Sequence, residues 1–295
     1  MPLRARIVAA FGRQYLAELE GGDLLACVPR GKKSEFACGD LVQVSRTEAP
    51  PSAPGIAGQA VIDALLPRET LLYRSVAHRE KLIAANVTQL VVVVATEPSF
   101  SDELLARCLV AARDQRLQTL IVLNKCDLPG KLEAARAQLA PYRAIGYRVL
   151  ELSARQSAAP LPPLLRGHTS VLVGQSGMGK STLINALLPA AQAATREIST
   201  VLDSGKHTTT HARLYHLDAD TRLIDCPGVQ AFGLHHLSFG AIEQGFIEFA
   251  DHIGQCRFHD CRHLREPDCA LRQAAAEGKI DARRLELFQQ ISQRK

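Results

Sequence analysis

No stretch of this 295-residue chain is apolar for long enough to cross a bilayer. The longest unbroken apolar run, residues 90–95, falls far short of the roughly 20 residues a spanning helix needs. The opening MPLRARIVAAFGRQY holds no apolar core of signal-peptide length, so no membrane partner is expected and the chain reads as cytoplasmic. A strong charge imbalance is missing too: 35 Lys and Arg against 30 Asp and Glu leave a net +5, a mild excess that favours anionic partners such as RNA without requiring one. The apolar share of 46% and charged share of 22% lie near globular averages, which excludes a disordered or fibrous chain.

What is present is enough sequence for two or three domains of mixed α/β type. Residues 4–9, 15–20, 24–28, 41–45 and 61–65 are short alternating runs separated by turn signals such as Gly21-Gly22-Asp23 and Gly39-Asp40, which predicts a small β-barrel. The Pro- and Gly-rich stretch 49–58 reads as a mobile loop within it. From about Leu82 the pattern changes. Residues 90–95, 120–123, 149–152 and 171–173 read as buried parallel strands with helices between them, 102–114 for example, and so predict a doubly wound sheet. Residues 213–217 and 222–224, joined through Asp218-Ala219-Asp220, add a hairpin. Beyond Gly228 the chain turns helical and rich in His and Cys. The expected units are therefore 1–72, 73–231 and 232–295.

Gly174-Gln175-Ser176-Gly177-Met178-Gly179-Lys180-Ser181 is a phosphate-loop pattern, following a strand and opening, with Thr182, a helix. Glycines there let backbone N–H groups close around phosphate oxygens at a helix N-terminus. Lys180 is placed to reach the β- and γ-phosphates and Ser181 to ligate Mg²⁺. The base is read elsewhere. Asn124-Lys125-Cys126-Asp127 follows the strand 120–123, and the Asp127 carboxylate offers two acceptors to the N1–H and exocyclic amine of guanine, a pair of donors adenine lacks. Asn124 and the Lys125 stem support that loop, and Ser153-Ala154 resembles the short loop that meets the guanine oxygen.

Asp225-Cys226-Pro227-Gly228 ends a strand, placing Asp225 to hold Mg²⁺ through water and the Gly228 N–H to sense the γ-phosphate. His207-Thr208-Thr209-Thr210 supplies a hydroxyl, from Thr208 or Thr209, for the same Mg²⁺. A metabolic kinase would explain the phosphate loop but not Asn124, Asp127 or the Thr run. GTPases ordinarily run phosphate loop, switch Thr, Asp-x-x-Gly, Asn-Lys-x-Asp, Ser-Ala. Here the last two come first, and a circular permutation keeps the site because every loop still leaves the same edge of the sheet.

Five of the eight cysteines are scattered and read as small core residues. Cys256, Cys261 and Cys269 crowd together with His263 as Cys-x4-Cys-x-His-x5-Cys, a donor set for a closed, structural zinc site. His252 and His259 compete with His263 as fourth ligand, and spacing does not choose among them.

Taken in this order, the barrel, NKCD, GQSGMGKS, GKHTTT, DCPG and the cysteine cluster resemble the bacterial ribosome-small-subunit-dependent GTPase A family, permuted GTPases that help mature the small ribosomal subunit. The resemblance covers essentially the whole chain. It implies an OB-fold barrel, His263 as the zinc ligand, rRNA contact through barrel and zinc unit, and a monomer that binds GTP and GDP. It also assigns His207 the positioning of the attacking water, since Val229 stands where many GTPases carry Gln. Residues such as Arg30, Lys32, Lys33, Arg257 and Arg262 would meet rRNA phosphates. Two readings follow: an enzyme whose hydrolysis times its release from the small subunit, or a nucleotide-gated rRNA-binding module in which hydrolysis is incidental.

Overall fold

The structure, a computed structural model, describes residues 2–31, 36–76, 79–188, 212–226 and 233–293. Its first unit is a closed barrel of β1 (Leu3–Phe11), β2 (Gln14–Leu19), β3 (Leu24–Pro29), β4 (Leu41–Arg46) and β5 (Gly58–Leu65). The long β1 pairs with β2 along one edge and with β4 along the other, and a register shift between Ile7 and Ala9 bends it enough to do both. The ring closes in the order β1-β2-β3-β5-β4, with β3–β5 its parallel pair, which is the five-stranded Greek-key barrel of an OB-fold. Alternate residues fill it, among them Ile7, Leu25, Val42, Val44 and Ile62. Segment 49–58, expected to be mobile, is pinned instead. Ile56 is buried, Ala57 N–H donates to the Leu24 carbonyl at 2.7 Å, and the Gln59 side chain donates to the Pro50 carbonyl at 2.9 Å.

A hairpin, β6 (Leu71–Val76) and β7 (Arg79–Ala85), follows the barrel. It was not expected, because a register shift between Leu72 and Tyr73 breaks the alternation by which a strand is recognised. The central sheet is then built from β8 (Gln89–Ala95), β9 (Gln118–Asn124), β10 (Arg148–Glu151), β11 (Thr169–Val173), β12 (Arg213–His216) and β13 (Arg222–Asp225). Their order is β10-β9-β8-β11-β13-β12, all parallel except β12. Strands β8 and β11 are buried at every position, as expected of strands covered on both faces. The helices described between them are α1 (Asp102–Asp114), α2 (Leu132–Ala144), α3 (Pro162–Leu165) and α4 (Lys180–Leu187). From β8 the chain winds out through β9 to β10, and from β11 it winds the other way, so a topological switch point falls between β8 and β11.

Barrel and central sheet are continuous through one antiparallel contact, Ala9 of β1 opposite Arg213 of β12. The linker that leaves the barrel is tied back to it by an ion pair, Arg68 meeting both oxygens of the fully buried Asp40 at 2.7 Å. The bidentate geometry offsets the cost of burying that carboxylate.

The C-terminal unit holds α5 (Phe239–Gly245), a 3₁₀ turn (Ile247–Phe249), α6 (Ala270–Ala276) and α7 (Ala282–Gln293). The Phe246, Phe249 and Phe288 rings meet with centroids 5.1–5.4 Å apart. Gly245 lets α5 lie on α1, since a Cβ there would press into the Val110 side chain. Arg284 of α7 is buried, lies over the Tyr142 and Phe246 rings, and pairs with buried Glu248 at 2.6 Å. Replacing Glu248 with Ala would leave that guanidinium unpaired away from water, so Glu248→Ala is expected to cost about 3–5 kcal/mol in urea unfolding. The double change Glu248→Leu with Arg284→Met should cost far less, because it removes both charges while keeping volume.

Candidate nucleotide site and metal cluster

Strand β11 delivers the chain to the C-terminal edge of the sheet, and its glycines follow from what crowds that edge. At Gly174 a Cβ would run into the Val93 carbonyl of neighbouring β8. Gly177 and Gly179 take left-handed φ of +83° and +89°, and a Cβ on Gly179 would collide with the Asn124 amide. Gly179 is also the N-cap of α4, so backbone N–H groups at the start of that helix face the loop. Lys180 folds back over it, its Nζ donating to the carbonyls of Gly174 at 2.6 Å and Gln175 at 2.9 Å.

Asn124, at the end of β9 and only 1% exposed, ties three loops together. Its Nδ2 donates to the Met178 carbonyl of the phosphate loop and its Oδ1 accepts from the Ala154 N–H, both at 2.9 Å. Lys125 adopts a positive φ of 61°. Its Nζ donates to the Glu97 carbonyl at 2.7 Å, and its own carbonyl accepts from the Thr96 hydroxyl at 2.9 Å, so the turn after β8 braces this loop. Cys126 is anchored by its N–H to the Leu152 carbonyl and its thiol to the Leu123 carbonyl, each at 3.2 Å.

These loops enclose a cavity of about 660 Å³ at the switch point, within the range of small-molecule sites. Asn124, Lys125, Asp127, Ser153, Ala154, Ser176, Gly177, Gly179, Lys180, Ser181, Thr182 and Asp225 all line it. Thus residues drawn from four separate stretches of the sequence converge on one cavity. The Asp127 carboxyl is held below its ordinary range, chiefly by the adjacent Ser153 hydroxyl, and is an ionised acceptor at neutral pH. That contact falls short of hydrogen-bond geometry, so among the described residues Ser153 Oγ is a buried polar atom without a hydrogen-bond partner, which a base in the cavity would supply. Burial pushes Asp225 up and Lys180 down, each opposed by the charge of the other. A partly desolvated cation, helix N–H groups and hard oxygen donors at Ser181 and Asp225 form a setting suited to a polyphosphate and a Mg²⁺ ion.

Four of the nucleotide residues expected from sequence do not line the cavity. Cys126 and Gly174 shape the loops, Met178 is buried in the core, and the Gln175 side chain turns to the start of α1, accepting from the Ser101 N–H at 2.7 Å. Leu128 and Arg155 line it without having been singled out, although each directly follows one of the recognised motifs. His207, Thr208, Thr209 and Gly228 lie outside the described residues, as do Lys32, Lys33 and Val229. Of the other basic residues named for rRNA, Arg30 pairs with Asp63 at 2.7 Å and Arg257 with Asp268 at 2.9 Å, while the Arg262 guanidinium lies 4.5 Å from the Phe239 ring centroid.

In the C-terminal unit the donor atoms of Cys256, Cys261, His263 and Cys269 all lie within 4.8 Å of one another. Neither His252 nor His259 belongs to that group. His263 Nδ1 is 3.5 Å from Cys256 Sγ and 3.3 Å from Cys269 Sγ, and these two sulfurs are 3.9 Å apart. Tetrahedral zinc with bonds of about 2.3 Å to sulfur and about 2.0 Å to nitrogen sets edges of about 3.8 Å and about 3.5 Å, so the donors fit that ion. His263 Nε2 bonds to Glu243 at 2.6 Å, leaving Nδ1 toward the thiols. This carboxylate partner fixes the ring as outer residues of metal sites do. Sequence did not disclose Glu243, because it lies 20 positions from His263 and in no motif.

The RsgA GTPase family model matches residues 65–235. Proteins named "Small ribosomal subunit biogenesis GTPase RsgA" are 54% identical in Nitrosospira multiformis over 98% of this chain and 90% of theirs, and 52% identical in Nitrosomonas europaea over the same shares. Among solved structures, YjeQ from Thermotoga maritima aligns with a TM-score of 0.72 at 27% identity, over 100% of this chain and 98% of its own. YloQ, described as a circularly permuted GTPase, aligns at 0.71 with 25% identity, over 100% of this chain and 95% of its own. With residues 65–235 matched by the family model and 98% of its length by relatives more than half identical, the chain belongs to the RsgA GTPase family.

Proposed function

We propose that this chain hydrolyses GTP to GDP and phosphate in the cavity at the sheet edge, and that it works on the small ribosomal subunit late in its maturation, hydrolysis timing its release. The observation that carries the nucleotide reading is the single cavity shared by the Asn124–Asp127 loop, the Ser153-Ala154 loop and the phosphate loop, clamped by Asn124. The ribosomal reading is supported by the printed names of the relatives. No described helix is long and apolar enough to span a membrane. We take the units as barrel 1–72, GTPase 73–231 and zinc unit 232–295, acting as a cytoplasmic monomer.

In this reading Asp127 accepts from N1–H and the amine of guanine, with Ser153-Ala154 at its carbonyl edge. The N–H groups from Ser176 to Thr182 hold the phosphates, and Lys180 swings from its loop carbonyls to the β- and γ-phosphates. Ser181, Thr208 or Thr209, and Asp225 through water, would hold a Mg²⁺ ion, which would supply positive charge to offset that developing on the phosphates. The Gly228 N–H meets the γ-phosphate. His207 positions the attacking water, acting mainly in the transition state. Cys256, Cys261, His263 and Cys269 hold one structural zinc, and barrel and zinc unit meet rRNA.

Asp127→Asn exchanges an acceptor for a donor at the base. GTP affinity is expected to fall at least about 100-fold while xanthosine triphosphate affinity rises, as read by competition binding. Unchanged GTP preference would remove Asp127 from the base.

One zinc per chain is expected by elemental analysis of freshly purified protein. Cys261→Ser should lose it together with the C-terminal fold, since a structural ion contributes folding energy directly.

Hydrolysis by the free protein should be slow, and small subunits should accelerate it by about 100-fold or more, because ordering a positioned group recovers a factor of that size. Large subunits should not. Affinity for small subunits should drop steeply across a salt series as phosphate contacts are screened. Equal stimulation by both subunits would sink the ribosomal reading and leave the GTP site standing.

A further inference from the structure

Gln175 occupies the second position of the phosphate loop, yet its side chain leaves the cavity and holds the N–H of Ser101, the residue that caps α1 through its hydroxyl on Leu104 N–H. The next residue, Asp102, is gripped from the far side. Its carboxylate accepts from the buried Tyr142 hydroxyl of α2 at 3.0 Å and forms an ion pair with Arg283 of α7. Two more bonds lock the same place: Gln138 of α2 donates to the Phe100 carbonyl at 3.3 Å, and Arg283 donates to the Gln138 carbonyl at 3.2 Å. Residues 100–102 are thus a short block held by the phosphate loop on one side and by the last helix of the C-terminal unit on the other.

We propose that Gln175, Asp102 and Arg283 form a strut through which the docked C-terminal unit positions the phosphate loop, so that nucleotide retention depends on Arg283, a residue remote from the cavity. This deepens the reading of the cavity as a guanine-nucleotide site and rests on it. The physical basis is that, among the described residues, the phosphate loop has few side-chain anchors. Asn124 holds Met178 from the base side and Gln175 holds Ser101 from the α1 side, while the Lys180 bonds to described residues stay within the loop itself. Losing the Ser101 anchor frees the first turn of the loop to sample positions that cradle phosphate less well. Moving α7 away from Asp102 achieves the same without touching the loop. A single hydrogen bond changes an equilibrium by about two- to tenfold, so the effect is graded rather than absolute. Binding linkage then requires the converse, with nucleotide in the loop favouring the docked C-terminal unit.

The test is a double-mutant cycle between residues that make no hydrogen bond to each other. In the full-length protein, Gln175→Ala and Arg283→Ala are each expected to speed dissociation of a fluorescent GDP about five- to tenfold. The double variant should be no faster than the faster single one, and Arg283→Lys should recover most of the loss. For the Arg283 variants kcat at saturating GTP should stay near that of the parent while KM rises. Tyr142→Phe removes one hydroxyl without changing packing, and it should act in the same direction and be non-additive with Gln175→Ala. This keeps the test open should Arg283→Ala unfold the C-terminal unit. Amide hydrogen exchange of residues 174–180 in nucleotide-free protein should quicken in each variant. Additive effects, or exchange unchanged in Arg283→Ala and Tyr142→Phe, would overturn the strut. A parent that retains no guanine nucleotide would refute the nucleotide reading instead, and the exchange arm alone would then decide the strut.

Discussion

The Asn124 side chain is the constraint on which the nucleotide cavity depends. One amide, nearly sealed from solvent, donates to the phosphate loop and accepts from the Ser153-Ala154 loop, while its backbone begins the loop that carries Asp127. An amide suits this position because it is donor and acceptor at once. Aspartate would lose the bond to the Met178 carbonyl and set a charge against that oxygen. Leucine would leave a buried N–H and a buried carbonyl unpaired, each costing about 1–3 kcal/mol. The glycine at 179 belongs to the same constraint, since any Cβ there would displace the amide.

This clamp also explains why a permuted chain order keeps the site intact. The clamp and its partners all leave the C-terminal edge of parallel strands, β9, β10 and β11. Which of these strands comes first in the chain has no bearing on the distances between their ends. The sheet needs only that β8 and β11 stay neighbours, and their uninterrupted burial secures that.

Legibility in the sequence tracked the distance over which an interaction acts. The phosphate loop, the Asn124–Asp127 loop and the cysteine cluster are each compact in the chain, so residue type and spacing disclosed them. Bonds that span long separations were hidden. Asn124 reaches 54 residues to Met178 and 30 to Ala154, and Gln175 reaches 74 to Ser101. The motif speaks for the backbone N–H groups of Gln175 and Met178 and says nothing of their side chains, which turn to Ser101 and into the core. Segment 49–58 misled for a different cause: its Pro and Gly content outweighed one isoleucine, and that isoleucine is what pins it. The hairpin β6–β7 escaped because its pairing shifts register between Leu72 and Tyr73, near the start of β6.

Chain connectivity gives the two accessory units a mechanical relation to the proposed switch residues. The segment bearing His207, Thr208 and Thr209 enters β12 at Arg213, and Arg213 is the residue that pairs with Ala9 of the barrel. The segment bearing Gly228 leaves β13 at Asp225, and within a few residues the chain is packing in the C-terminal unit, where Leu234 and Leu237 are buried. The first of these segments therefore runs from α4 to the strand that meets the barrel, and the second from β13 to the C-terminal unit. A partner gripping only the barrel would fix one far end, and a partner gripping only the C-terminal unit would fix the other. Ordering both at once requires a surface broad enough to engage barrel and C-terminal unit together, which is a demand that a large rigid assembly meets and a small soluble ligand does not. On the function proposed above, with Val229 where a water-orienting glutamine is common, a body that spans the two units would control the hydrolytic geometry.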